Sequence, residues 1–263
     1  MITGGTSGIG FAIAERFLQE GSERIIIVGR SYERLLNAAV RLDDYTSSVN
    51  SGLKPRIPKE EHPKQDPATG TPQPRQGTLV STSDRISLLV GDVSDTRSWM
   101  RELEKAMQPV DILVNAAGIS VSNILPKTEP VEISHILRTN LEGAMLTSRA
   151  LLRASIRNRI RNRSANGESD PAKTSRCIIN ISSLLALKGG NWGVVRSNAI
   201  IPGYIETPMT ADFGQGETSR LKDSIPLQRF GLPHEVADAA VFLARNEYAN
   251  NCVVNLDGGL SAV

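Results

Sequence analysis

Short runs in which nearly every position is apolar recur along this chain, separated by longer stretches with an apolar residue every three or four positions. The short runs are Arg24 to Gly29 (RIIIVG), Ile86 to Gly91 (ISLLVG), Val110 to Asn115 (VDILVN), Cys177 to Ser182 (CIINIS) and Cys252 to Leu256 (CVVNL). They lack the polar alternation of a half-exposed strand and read as strands buried on both faces. The stretches of helical period are Phe11 to Glu20, Tyr32 to Asp43, a helix capped by Ser94 and running through Met107, Val131 to Ile156, and Pro233 to Asn246. Gly21 suits the position just past a helix end, and Ser31 suits an N-cap. In the long fourth helix, Ile133, Ile136, Leu137, Leu141, Ala144 and Leu151 form the expected apolar stripe. Val194 to Ile201 adds a short apolar stretch. Strands alternating with helices predict an α/β fold, a doubly wound parallel sheet in a single domain.

Two breaks interrupt this rhythm. From about 44 to 84 the chain holds six of its 14 prolines and few large apolar residues. Such a segment cannot bury enough surface to offset its ordering entropy, so it is expected to be a disordered insertion. A second break at about 159–175 follows arginines 153, 157, 159, 161 and 163, and reads as a helix C-terminus running into a solvated loop.

Composition narrows the possibilities without naming one. The 263 residues are 40% hydrophobic and 22% charged, with a net charge of +2. That is an ordinary globular balance, and it implies no nucleic-acid partner. Cys177 and Cys252 each sit in a strand pattern and predict buried thiols, not a disulfide or a metal site; the three histidines share no ligand spacing. No apolar run reaches the length of a membrane span, and no signal peptide precedes the opening MITGGTSGIG. An intracellular setting, cytoplasmic or mitochondrial, is the expectation.

The chemistry begins at that opening. Thr3-Gly4-Gly5-Thr6-Ser7-Gly8-Ile9-Gly10 leads into the first helix, and glycines there let backbone approach a pyrophosphate while the helix N-terminus supplies N–H donors. Twenty residues after Gly10, at the end of the second expected strand, stands Arg30. An acidic residue there would take the ribose hydroxyl of NAD, whereas an arginine accommodates the 2′-phosphate of NADP.

With these stand Gly91-Asp92-Val93, Asn115-Ala116-Ala117-Gly118, Asn140, Ser182-Ser183, Pro202-Gly203 and Asp257-Gly258-Gly259. In that order they resemble the signature of the short-chain dehydrogenase/reductase family, over nearly the whole length apart from the two breaks. NAIIPGYIETPMT (198–210) and IPLQRFGLPHEVADAAVFL (225–243) are most similar to the 3-oxoacyl-[acyl-carrier-protein] reductases. The resemblance implies a Rossmann-type fold, NADP(H) as cofactor, a small or carrier-bound 3-oxoacyl thioester as substrate, and a homotetramer. It also implies roles. Gly4, Gly8 and Ile9, with Ser7 and Gly10, would hold the pyrophosphate, and Asp92 and Val93 the adenine. Asn115, Ala116 and Gly118 would line the adenosine ribose and the floor of the site. Pro202, Gly203, Ile205 and Thr207 would hold the nicotinamide carboxamide. Ser183 would hydrogen-bond the substrate carbonyl, and Asn140 would support a water in the proton relay.

The chain departs from the family where turnover would occur. The family places a Tyr-x-x-x-Lys after that serine, because the oxygen that gains charge on hydride transfer must be protonated by a phenol whose pKa a lysine lowers. Four residues after Tyr32, Tyr45, Tyr204 and Tyr248 stand Leu36, Val49, Pro208 and Cys252, so the pair is absent. Between Ser183 and Val194 lie only the ten residues LLALKGGNWG, with three glycines and no helical period. A parallel crossover needs about a dozen residues or more, so the helix carrying the catalytic Tyr and Lys is expected to be missing, and with it an interface helix that puts the tetramer in doubt. Only Met1 and Ile2 precede Thr3, so the first strand is expected to be missing as well. Three readings follow: an NADPH-dependent 3-oxoacyl reductase, a non-catalytic NADP-binding subunit, and a truncated or spliced form of an active reductase.

Overall fold

The computed structural model describes residues 1–50, 73–120, 127–166, 176–182 and 196–262; the side chains of 45–50, 159 and 162–166 are outside that description. In chain order the elements are β1 (Ile2–Thr3), α1 (Gly8–Gln19), β2 (Ile25–Gly29), α2 (Tyr32–Asn50), β3 (Leu79–Ser81) and β4 (Ile86–Val90). After a 3-10 segment (Val93–Trp99) come α3 (Met100–Ala106), β5 (Ile112–Asn115), α4 (Pro130–Ile136), a π segment (Leu137–Glu142) and α5 (Gly143–Asn166). The chain continues through β6 (Cys177–Ile181), β7 (Arg196–Pro202), α6 (Pro208–Ala211), α7 (Gln215–Ser224), α8 (Pro233–Arg245) and β8 (Val253–Leu256).

The eight strands form one sheet in the order β3-β4-β2-β1-β5-β6-β7-β8. Every pairing is parallel except β3 against β4. The central strands are apolar throughout because both faces are covered. Ile25 and Ile27 face α1, α2 and α8 and join Phe11, Ile13, Leu35, Leu42, Val236 and Leu243. Ile26 and Val28 face the other way and join Trp99, Leu103, Met107, Leu151 and Ala154 of the α3–α5 layer. This alternation is the period-2 pleat read out as two cores.

The centre of the sheet is held by a strand that is short, not missing. Ile2 and Thr3 pair with Ile27 and Val28 on one side and with Val114 and Asn115 on the other. The Met1 amine donates to the Ile112 carbonyl at 2.7 Å, and the Met1 carbonyl accepts from Val114 N–H at 2.9 Å. On the β2 side the ladder begins only at Ile27; Ile25 and Ile26 pair with β4 alone. Three residues therefore supply most of what the sheet needs at its centre.

Other expectations shift. The stretch expected to lack structure from 44 to 84 contributes the end of α2 and the edge strand β3, whose Leu79, Val80 and Ser81 pair with Leu89, Leu88 and Ser87. Edge pairing satisfies backbone groups without needing a long apolar run, which is why composition hid it. Residues 51–72 of that stretch, and 167–175 of the second break, lie outside the described residues. Asp92, not Ser94, caps the segment after β4, its carboxylate accepting from the Ser94 N–H at 2.8 Å and hydroxyl at 2.7 Å.

The helix expected over 131–156 is α4, the π segment and α5 in succession. A π turn holds an extra residue and rotates everything beyond it relative to what came before. Leu151 is fully buried, but Leu137 and Leu141 are 53% and 55% exposed, and the inward face of α5 consists of Thr147, Ala150, Leu151, Ala154 and Ser155. β6 and β7 are parallel neighbours joined by residues 182–195. Of that connection only Ser182 is described, so Ser183 and the crossover expected to lack the catalytic helix lie outside the described residues.

Candidate functional site

The strand order reverses between β1 and β5, and the carboxyl ends of such a pair are where open α/β sheets leave a crevice. A cavity of about 290 Å³ lies there. Four loops wall it.

The first is the glycine turn between β1 and α1. Gly4 and Gly8 adopt φ of +67° and +56°, which L side chains rarely adopt. A Cβ on Gly4 would stand 2.8 Å from the Ala117 backbone, and one on Gly10 would stand 2.4 Å from the Gly4 carbonyl. Gly8 is different: a Cβ there meets nothing nearer than Thr207 at 3.5 Å, so its face is open to the cavity. The first turn of α1 carries no acidic residue. Its backbone donors, Ser7 and the cavity thus make a place for an anionic group.

The second wall follows β2. Arg30, Ser31 and Arg34 all line the cavity. Ser31 Oγ accepts from the Arg34 N–H at 3.3 Å, while the Arg34 guanidinium reaches back across the cavity mouth to donate to Ser7 Oγ at 3.5 Å. Gln73 holds the Arg30 carbonyl at 2.8 Å. The third wall is Gly91-Asp92-Val93 after β4. The Asp92 carboxylate is engaged by Ser94, so the two arginines dominate the charge that faces the cavity.

The fourth wall is Ala116 to Ile119 after β5, with Thr139 behind it. Thr3 Oγ1 accepts from the N–H groups of both Ala116 and Ala117 at 3.2 Å, tying this loop to the glycine turn. Asn140 donates to the Ile119 carbonyl and accepts from the Ile119 N–H, both at 2.9 Å, so its side chain ties the π segment to the loop after β5. Thr139 is 8% exposed, and its hydroxyl has no hydrogen-bond partner. Leaving a buried hydroxyl unpaired costs about 1–3 kcal/mol.

Of the residues expected at this site, Gly4, Ser7, Gly8, Ile9, Gly10, Arg30, Asp92, Val93, Ala116, Gly118 and Thr207 line the cavity. Asn115 turns inward instead: its Nδ2 donates to Asn180 Oδ1 at 2.9 Å and Ser148 Oγ at 3.0 Å, and its Oδ1 accepts from Thr147 at 2.7 Å. It ties β5 to β6 and α5. Ile205 is buried in a bridge to Gly231, and Gly203 is pressed against Asp257, so neither lines the cavity; nor does Pro202. Arg34 and Thr139 were not legible as site residues. Arg34 had a weak signal, four positions after Arg30; Thr139 had none.

The matches to known proteins agree with this geometry. A family model described as Enoyl-(Acyl carrier protein) reductase matches residues 75–261. The 3-oxoacyl-[acyl-carrier-protein] reductase of Bos taurus is 32% identical, covering 98% of this chain and 96% of its own. The enzyme of the same name from Escherichia coli is 26% identical, covering 100% and 97%. A crystal structure of a putative NAD(P) dependent gluconate 5-dehydrogenase from Beutenbergia cavernae, with bound NADP, superposes with a TM-score of 0.72 at 22% identity, covering 100% and 96%. The chain belongs to the short-chain dehydrogenase/reductase family. Within that family, both of these reductase relatives carry the name 3-oxoacyl-[acyl-carrier-protein] reductase. Among the described residues no helix is long and apolar enough to cross a membrane, and no group of three or more metal-ligating side chains occurs.

Proposed function

We propose that this chain binds NADP(H) in the switch-point cavity and that its substrate site is of the 3-oxoacyl-thioester type, with little or no turnover. The observation that carries the cofactor half is the pair Arg30 and Arg34 beside an open glycine turn in one cavity. The residues present fit the group: the face of Gly8 is open and the α1 terminus offers donors. Gly4, Ser7, Gly8, Ile9 and Gly10 would take the pyrophosphate, Arg30 and Arg34 the 2′-phosphate, and Asp92 and Val93 the adenine. Thr207 would close the nicotinamide end.

Bound there, the nicotinamide would supply a hydride. This chain's own residues then have to deliver a proton to the substrate oxygen, and no tyrosine is followed by a lysine four positions on. Loss of a positioned general acid costs about 10²–10⁴ in rate. Ser183 would remain to hydrogen-bond a carbonyl, so substrate could be held but poorly protonated. The names of the relatives support a 3-oxoacyl thioester carried by acyl carrier protein. A cytoplasmic or mitochondrial compartment goes with this reading.

The test is direct. Quenching of protein fluorescence on titration with NADPH should saturate, while loss of reduced-nicotinamide absorbance with an acetoacetyl thioester should stay at background. Measurable turnover would overturn the inactive reading and restore the reductase. Absence of NADPH binding would remove both.

A further inference from the structure

We propose that Gln73 is a positioning residue that sets cofactor preference, holding the Arg30 backbone so that the guanidinium is presented to a 2′-phosphate. The proposal rests on the NADP(H) reading above, and it gives a task to the end of the proline-rich stretch, which that reading leaves without one.

Residues 73–78 form a strap across two walls of the cavity. On the β4 side backbone fixes it. The Gly77 N–H donates to the Val90 carbonyl at 2.7 Å, and the Val90 N–H donates to the Thr78 carbonyl at 3.0 Å. The Thr78 N–H closes a turn on the Arg75 carbonyl at 3.1 Å. Gly77 has a φ of +85°, and a Cβ there would stand 2.6 Å from the Glu102 side chain, so glycine lets this turn close against α3. Gln76 then accepts from the Asp92 N–H at 3.4 Å.

On the β2 side the strap reaches across by a side chain. Gly29 ends β2, and its carbonyl accepts from the Gly91 N–H at 2.9 Å. The next carbonyl, that of Arg30, lies past the end of the ladder, and Gln73 Nε2 donates to it at 2.8 Å. Arg30 is exposed and lines the cavity. An arginine beyond a strand end loses backbone and rotamer freedom when it engages a ligand, and prior fixing of its backbone lowers that cost. Gln73 supplies the fixing at the residue whose charge separates NADP(H) from NAD(H). The bond is at the surface, so its loss bears on preference and not on the fold.

Calorimetric titration of the full chain tests this. Gln73→Ala should bind NADPH about fivefold more weakly than the wild type, with NADH affinity and the ligand-free thermal midpoint unchanged. Gln73→Lys keeps a donor of similar reach and should restore NADPH affinity, including at about 0.5 M salt, where its added charge is screened. Gln73→Glu loses the donor and adds a negative charge, so it should bind NADPH more weakly than the alanine variant, and the excess should shrink as salt rises. If the alanine variant does not fold, the lysine and glutamate variants give the same comparison at high salt. Wild-type NADPH affinity in Gln73→Ala, equal weakening of NADPH and NADH, or no rescue by lysine overturns the proposal and leaves the NADP(H) reading standing. A wild-type chain that binds neither dinucleotide defeats that reading, and the proposal with it.

Discussion

Arg34 contributes its guanidinium to the cavity from the first turn of α2, propped on Ser7. A charge-assisted bond to phosphate is about twice as strong as a neutral one, so Arg34→Ala should weaken NADPH binding about tenfold. NADH lacks the 2′-phosphate and should be little affected; calorimetric titration of both cofactors measures the ratio. Arg196 has a different task. It is 7% exposed, and its guanidinium donates to the carbonyls of Leu243, Ala244, Asn246 and Ala249 at the C-terminus of α8. Arg196→Met should destabilise the chain by about 2–4 kcal/mol, since several buried acceptors lose their donor together, read as a lower urea midpoint. At this scale the sequence was legible wherever chemistry is local. The glycine turn and Arg30 announce themselves because spacing along one strand–turn–helix unit sets their geometry. Asn115 resembled a ligand residue by its motif, but a three-dimensional network of Asn180, Ser148 and Thr147 claims its amide, and no linear pattern shows that.

Among the elements, the apolar strand runs gave the sheet with boundaries shifted by two residues or fewer at most ends. The edge strand β3 and the π segment did not show. β3 depends on a partner supplied by β4, and the π segment changes helical phase midway, so a constant 3.6-residue stripe mislocates the buried face. β1 carries the clearest consequence. Burial lowers the Met1 amine from 8.0 to about 5, against a partial opposing pull from Asp111. Between those values the unfolded chain holds a proton that the folded chain does not, so stability should rise with pH from about 5 to 8. At about 1.4 kcal/mol per unit of pKa the full effect is on the order of 4 kcal/mol. Acetylating the Met1 amine should flatten this dependence, and unfolding curves across that pH range test it. Glu235 acts lower on the scale. Bonds from Arg229 and the Leu232 N–H hold its carboxyl down to about 2, so its contribution is full above the unfolded value of 4.5 and fades only as pH falls towards 2.

For the whole molecule, ligand and fold are coupled through the centre of the sheet. NADPH at about 100 times its Kd should raise stability by about 2.7 kcal/mol, a rise in thermal midpoint of roughly 5–10 °C for a chain of this size. Differential scanning fluorimetry with NADPH checks it. The doubly wound architecture was legible in the strand–helix alternation, but β1, the strand at the switch point, was expected to be missing and is present.

The hydroxyl of Thr3 is bonded to the first two amides of the loop after β5, so the inner half of the cavity is also the join between the two halves of the sheet. The outer rim, with Arg30, Arg34 and Thr207, hangs on loops and helix starts. Inherited change is therefore channelled. Substitutions at the join should cost stability, whereas substitutions at the rim should alter which dinucleotide is preferred. Descendants of this chain are free to exchange one cofactor for another long before they are free to do without a cradle for either.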